Sequence, residues 1–205
     1  VPNSVVFFEL NRYFSDQFFI FQPKIKTIMI DILRQRRSIR KFTSVPVEPE
    51  KLRLLEEAVL RSPSSKNRNP WEFIFADQPK LIQQLSQAKT DGSAFLRHAP
   101  LAVVILADET VSDVWVEDCS IASILLQLTA QSLGLGSCWS QIRKRPHDDN
   151  QSAEAYIHQL FQLPNHLRVL SVIGIGYPAQ SRSGKPTEEL QNEKIHSNHI
   201  KFENR

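Results

Sequence analysis

The chain is read as a three-layer sandwich of helices and strands, α/β or α+β. Three features predict this. Short apolar runs and segments of helical period are interspersed along the chain, as they are when strands and helices build layers around one core. Two runs, Leu101–Leu106 and Arg168–Ile175, carry aliphatic residues at consecutive positions, the pattern of strands buried on both faces. One helical segment, Val116–Leu133, is apolar around most of its circumference, which places it at the centre of the fold or in a subunit interface.

Length and composition set the frame. With 205 residues, 41% apolar and 23% charged, the chain is long enough for one domain with a substantial core. A net charge of +3, with no stripe of cations interleaved with aromatics, argues against a nucleic-acid partner. The two cysteines, Cys119 and Cys138, have neither metal-ligand spacing nor a disulfide framework, so a reducing, cytoplasmic setting is expected. No apolar run reaches membrane-spanning length, and no membrane association is expected.

Residues 1–28 do not share the pattern of the rest. They are aromatic and apolar without a clear period, Pro2 and Pro23 interrupt them, and they lack the tripartite plan of a signal peptide. Met29, the only methionine, stands where regular patterning begins and is read as the natural start. The alternative is a real N-terminal arm that packs on a partner subunit. The domain proper is taken as 29–205.

From Met29 onward each element has a stated signal. Ile30, Leu33 and Arg37 follow a helical spacing. Thr43–Val47 is extended because Pro46 disfavours helix before it. Glu48-Pro49-Glu50 opens a helix with proline in the first turn and acids at its positive end, and Leu52, Leu55, Ala58 and Val59 form its buried stripe. A polar loop from Arg61 leads into the strand Trp71–Phe75. Gln78–Gln87 reads as a helix, and Lys89–His98 as a looser stretch around the Asp91-Gly92 turn. The long helix stops at Gly134 and Gly136. Ser137–Ile142 is a strand followed by the basic loop Arg143-Lys144-Arg145-Pro146-His147. Ala153–Phe161 is helical, Arg168–Ile175 is the second central strand, and a short helix is expected around Glu188–Ile195.

Several chemistries are disfavoured. No Gly-x-Gly-x-x-Gly follows an early strand, no Walker loop is present, and Ser62, Ser64 and Ser65 lie in no nucleophile-elbow context. The six histidines show no metal spacing on a helix, so they are read as surface residues and no metal is expected. What stands out is Arg36-Arg37-Ser38-Ile39-Arg40-Lys41-Phe42, with four cations and a hydroxyl in seven residues. Guanidinium forks match phosphate oxygens and serine adds a neutral donor, although a basic helix end facing water accounts for the same spacing. With the loop at 62–69 and the tail cations at 182–185, three polar segments suit a phosphorylated ligand with a polar ring. Composition does not name that ligand.

Four segments in order carry a resemblance. They are Arg36–Phe42; Ser62-Pro63-Ser64-Ser65-Lys66-Asn67-Arg68-Asn69-Pro70-Trp71-Glu72-Phe73; Glu117-Asp118 through Gly134-Leu135-Gly136-Ser137-Cys138-Trp139; and Gly174-Ile175-Gly176-Tyr177-Pro178. From about Met29 to Phe202 the chain resembles the nitroreductase family of FMN-dependent oxidoreductases, among its shorter members. The resemblance implies an α+β fold, a three-layer α/β/α sandwich with a mixed, mainly antiparallel central sheet and helices on both faces, assembled as an intimate homodimer with two FMN sites at the interface. By the matching motifs, Arg36, Arg37, Ser38 and Arg40 would contact the FMN phosphate, ribityl chain and pyrimidine edge. Pro63, Ser64, Ser65 and Asn67 would reach the flavin of the other subunit. Gly136, Ser137, Cys138 and Trp139 would line the ring, and Arg182 with Lys185 would complete the phosphate shell. Gly184 departs from the family's tail pattern, which usually has a second arginine there. The implied activity is NAD(P)H-driven, ping-pong reduction of nitroaromatics, quinones or related small acceptors, with NADH or NADPH as donor. The flavin carries the chemistry, so no catalytic side chain is assigned, and Arg40 would stabilise charge on the reduced ring. Dehydrogenation or dehalogenation by the same scaffold, and a non-catalytic flavin-binding role, are the alternatives.

Overall fold

A computed structural model describes residues 28–198. The expected N-terminal extension therefore lies outside the described residues, except for Ile28 at its end. Helix α1 spans Ile28–Gln35 and α2 spans Pro49–Leu60. Strand β1 is Trp71–Ala76, α3 is Pro79–Ser86 and β2 is Leu101–Asp108. The long helix α4 is Trp115–Ser132, followed by β3 (Gly136–Gln141), α5 (Ala153–Phe161) and β4 (Leu167–Gly176).

The sheet order is β1-β2-β4-β3, and every strand pair is antiparallel. The parallel contribution among the described residues is a single bridge, Ser38 to Ser137. The two runs predicted to be buried on both faces, β2 and β4, are the central pair. β2 divides its side chains by alternation. Leu101, Val103, Ile105 and Ala107 join the core under α2 and α4, while Ala102, Val104 and Leu106 join the core under α3 and α5. β4 would lose this alternation against β2 without the irregularity at Ile105/Leu106, where Leu170 is left unpaired. Helices thus cover both faces, as the sandwich reading requires.

The observed bounds match the expected elements to within a residue or two, with one exception. The stretch Glu188–Ile195 forms two separate 3₁₀ turns, Thr187–Glu189 and Asn192–Lys194, instead of a helix. Its apolar residues have no core to face: Leu190 and Ile195 are exposed, so no buried stripe holds a longer helix together.

The connection after α1 is pinned at both edges. Ile39 N–H donates to Ser137 O at 2.9 Å and Thr43 N–H to Tyr177 O at 2.9 Å. Ala179 N–H donates back to Lys41 O at 2.9 Å. The Tyr177 hydroxyl also donates to Glu48 Oε1 at 2.6 Å, tying the start of α2 to the end of β4. A cation-rich segment that composition alone leaves in solvent is therefore laid along the edge of the sheet.

Candidate functional site

The basic segment meets β3 where α4 ends. Arg36, Arg37 and Ser38 are half-buried, Ile39 and Phe42 are buried, and Arg40 is exposed. Ile39 and Phe42 thus anchor the segment while the polar residues around them stay available. Gly136 permits this approach: a Cβ there would lie 2.8 Å from Ile39 Cβ and Cγ1. Gln35, Arg37, Gly136, Pro178 and Arg182 contribute to the lining of a small pocket of 150 Å³ at this junction.

The buried Cys138 thiol reports which charges converge here. Burial pushes its pKa up. The charge of Arg40, a hydrogen bond with Ser38, and the charges of Arg36 and Arg182 all pull it back. Residues distant in sequence (36, 38, 40, 138 and 182) therefore share one electrostatic neighbourhood. Among the described residues, none of Arg36, Arg37, Arg40, Lys41, Arg182 or Lys185 pairs with a carboxylate. Cations gathered without counter-charges fit a polyanionic ligand.

The tail reaches the same place through Gly184. A Cβ at Gly184 would fall 1.7 Å from Arg34 O, so no larger residue fits against the end of α1. The departure at Gly184 is therefore a close backbone contact. Arg182 lines the pocket, whereas the exposed Lys185 follows the contact with Arg34. Trp139 is half-buried against the α2/α4 core, and its Nε1 donates to Gln141 Oε1 at 2.9 Å.

The loop carrying Pro63, Ser64, Ser65 and Asn67 is built at the opposite end of α4. Ser65 N–H donates to Asp118 Oδ1 at 2.8 Å, and the Ser112 hydroxyl to Asp118 Oδ2 at 3.1 Å. Asp118 is 2% exposed and sits in the first turn of α4, where the helix dipole favours a carboxylate. The Ser64 hydroxyl donates to Asn69 Oδ1 at 2.7 Å and accepts Asn69 N–H at 2.9 Å. Lys66, Asn67 and Asn69 take φ of 51°, 54° and 50°. Asparagine tolerates this left-handed region. Lysine does so at a cost, and such strain concentrates at functional loops. At 1.5 Å per residue the 18 residues of α4 span about 27 Å. Within one chain the structure thus joins the segments at 36–40, 136–138 and 182, and holds the 63–67 loop a helix length away.

Two residues that hold or adjoin the candidate segments are not marked as such in the sequence. The sequence marks Asp118 only as part of a motif, because its work is to hold backbone across 53 positions. Lys89 falls in a stretch without a clear period, yet it lies within reach of the charges of Cys138 and Arg145.

Comparison with known proteins agrees with this geometry. The nitroreductase family profile matches residues 33–93 and 87–177, most of the chain. The chain belongs to the nitroreductase family. It is a nitroreductase-family oxidoreductase, as the motif order led one to expect. An FMN-dependent nitroreductase from Clostridium difficile R20291 superposes with a TM-score of 0.82 at 45% identity, covering 83% of this chain and 99% of that one. A protein of Methanothermobacter thermautotrophicus, provisionally named an NADH dehydrogenase/NAD(P)H nitroreductase, is 33% identical over 159 residues, 76% of this chain and 80% of its own. The FMN reductase [NAD(P)H] of Bacillus subtilis is 27% identical over 180 residues, 77% of this chain and 69% of its own. Among the described residues no helix is long and apolar enough to cross a membrane, and no His/Cys/Asp/Glu group could hold a metal ion.

Proposed function

We propose that the protein is an FMN-dependent NAD(P)H oxidoreductase that reduces nitroaromatic, quinone or related small acceptors in a ping-pong cycle. The observation that carries this is the uncompensated cation cluster of Arg36, Arg37, Arg40 and Arg182 around β3, in a chain of this family. Arg36, Arg37 and Arg182 would hold the phosphate, and Ser38 and the backbone of 136–138 would border the ring. Bound FMN supplies the hydride and electron transfer. Arg40 would favour negative charge on the pyrimidine edge of the ring and so raise its reduction potential.

The working unit on this reading is a homodimer with a site at each interface. The separation of the two candidate segments along α4 supports it, because one chain cannot close both around one flavin. Surface apolarity supports it as well. α1 buries none of its residues, and Leu54, Leu60, Ile121 and Ile124 are exposed on α2 and α4. Pro63, Ser64, Ser65 and Asn67 would then serve the partner's flavin. The free cysteines suit a reducing, cytoplasmic setting.

The test begins with colour. Purified protein should be yellow and release FMN on denaturation, and NADH or NADPH should bleach it without oxygen. A colourless protein that FMN does not reconstitute refutes the flavin reading. A yellow protein bleached by neither nucleotide refutes the NAD(P)H-driven cycle. A panel of electron acceptors on the reduced protein then identifies the oxidant class.

A further inference from the structure

The basic loop after β3 has no role in the site as described, yet it is firmly built. Arg143 N–H donates to Leu170 O at 3.1 Å, Arg145 N–H to Ile142 O at 3.0 Å, and Ala153 N–H to Arg145 O at 2.9 Å. Across from it, the segment at 88–92 is clamped to the same loop. His147 Nδ1 lies 3.2 Å from Ala88 O, and the Thr90 hydroxyl donates to His147 O at 2.9 Å. Behind the loop the His147 ring stacks on Tyr156 with centroids 4.3 Å apart.

This clamp sets residues 88–90 against the 145–147 loop, close enough for the Arg145 charge to act on Lys89. The Lys89 ammonium folds over the Gly92 turn, with Nζ 3.4 Å from the position a Cβ would take there. Ser140, which shares a strand face with Cys138, donates to Gly92 O at 3.3 Å. Lys89 is therefore seated next to the strand around which Arg36, Arg40 and Arg182 gather. Burial, and then the charge of Arg145, lower its pKa. The acids nearby offset this only in part. Asp91, in the same turn as Lys89, pulls its pKa back up, less than burial and Arg145 lower it. Asp148 Oδ1 accepts backbone N–H groups of Asn150 and Gln151 at 2.8 and 2.9 Å, and its Oδ2 lies 3.9 Å from His147 Nε2. Among the described residues neither Lys89 nor Arg145 forms an ion pair. Arg143 is set apart, with its guanidinium 5.7 Å from the Trp115 ring centroid.

Two like charges held together by hydrogen-bonded loops, Lys89 half-buried and neither in an ion pair among the described residues, are relieved by a dianion. We propose that Lys89 and Arg145 form a subsite for the 2′-phosphate of the electron donor, so that NADPH is taken in preference to NADH. The inference rests on the flavin reading above, with Arg36, Arg37 and Arg182 occupied by the cofactor phosphate. The 2′-phosphate is the group by which the two donors differ, and this second cation pair adjoins the cofactor neighbourhood without belonging to it.

The decisive experiment compares 2′,5′-ADP with 5′-AMP by calorimetry on the protein as purified, and the NADPH:NADH ratio of kcat/KM in steady state. The subsite predicts that 2′,5′-ADP binds at least about tenfold tighter, the scale of one charge-assisted contact to a phosphate. Lys89→Gln and Arg145→Gln should each remove most of that difference and lower the NADPH:NADH ratio about tenfold. Arg145→Lys should retain part of both, and circular dichroism should show all three variants folded. Equal binding of the two nucleotides overturns the subsite, as does a difference that both glutamine variants leave untouched. If Lys89→Gln releases FMN while the donor ratio holds, Lys89 serves the cofactor and the subsite is again overturned. A protein that holds no FMN refutes the flavin reading instead, and the subsite is then decided by whether Lys89→Gln and Arg145→Gln abolish the preference for 2′,5′-ADP, since both variants leave Arg36, Arg37 and Arg182 in place.

Discussion

Replacing Gly136 with alanine should damage both the fold and the cofactor site. The new methyl would meet Ile39 Cβ, Cγ1 and Cγ2 at 2.8, 2.8 and 2.9 Å, distances that real Cβ atoms essentially never show. Ile39 is 6% exposed and branched at Cβ, so it has little rotamer freedom with which to escape. The backbone at 38–39 must then move off β3, which strains or breaks the 2.9 Å bond from Ile39 N–H to Ser137 O. Overpacking costs about 1–3 kcal/mol and the lost hydrogen bond about 0.5–1.5, together roughly 1.5–4.5 kcal/mol. For a chain of this size that lowers Tm by roughly 3–18 °C. The same shift carries Arg37, Ser38 and Arg40 with it, so FMN should be lost more readily on dialysis. Thermal unfolding with and without added FMN, plus flavin content by absorbance, measures both effects. A double-mutant cycle with Ile39→Ala should show the two changes coupled, because removing the γ-carbons relieves part of the clash. If Gly136→Ala melts with the parent protein and keeps its flavin, the contact between the basic segment and β3 is not as tight as argued.

Other outcomes follow from the same geometry. Arg40→Ala should weaken FMN retention or slow flavin reduction by NAD(P)H; unchanged flavin content and rates would remove its assigned role. Asp118→Ala should cost about 1.5–3 kcal/mol in urea unfolding, because it strips a charged acceptor from Ser65 N–H and Ser112. It should also expose the 62–69 loop to limited proteolysis, and a loop as resistant as the parent's would refute the anchor. Burial, and then the neighbouring charge of Asp118, push the Cys119 thiol up to about 12. Because its folded pKa lies above the unfolded one, Cys119 contributes stability that is complete below about pH 8.5 and is lost as pH rises toward 12. Cys119→Ala should flatten that alkaline decline, and an unchanged pH profile of unfolding would contradict it.

The elements were legible because each had its own local signal. Pro49 with its flanking acids marked the start of α2, and the aliphatic runs marked β2 and β4 as the central pair. Pairing was less legible. That β1, β2, β4 and β3 lie antiparallel depends on which edges meet in space, and the residue skipped at Leu170 has no mark in composition. The tail misled because Glu188–Ile195 has helix-forming residues, and only the absence of a surface to bury against reduces it to two turns. The cation cluster was visible in one stretch of sequence. Its link to Arg182 through Gly184, and the positioning of Lys89 and Asp118, depend on contacts between segments tens of residues apart, which a linear reading does not contain.

The length of α4 bears on genetics as well as geometry. If its two ends serve two different flavins, a defect at Arg36 or Arg40 and a defect in the Pro63–Asn67 loop are faults of separable half-sites. A mixed dimer carrying one fault on each chain would then have one site burdened with both and one with neither. Co-expressed and reassembled, two inactive variants should yield active protein holding one competent flavin per dimer, whereas two faults at the same end should never complement.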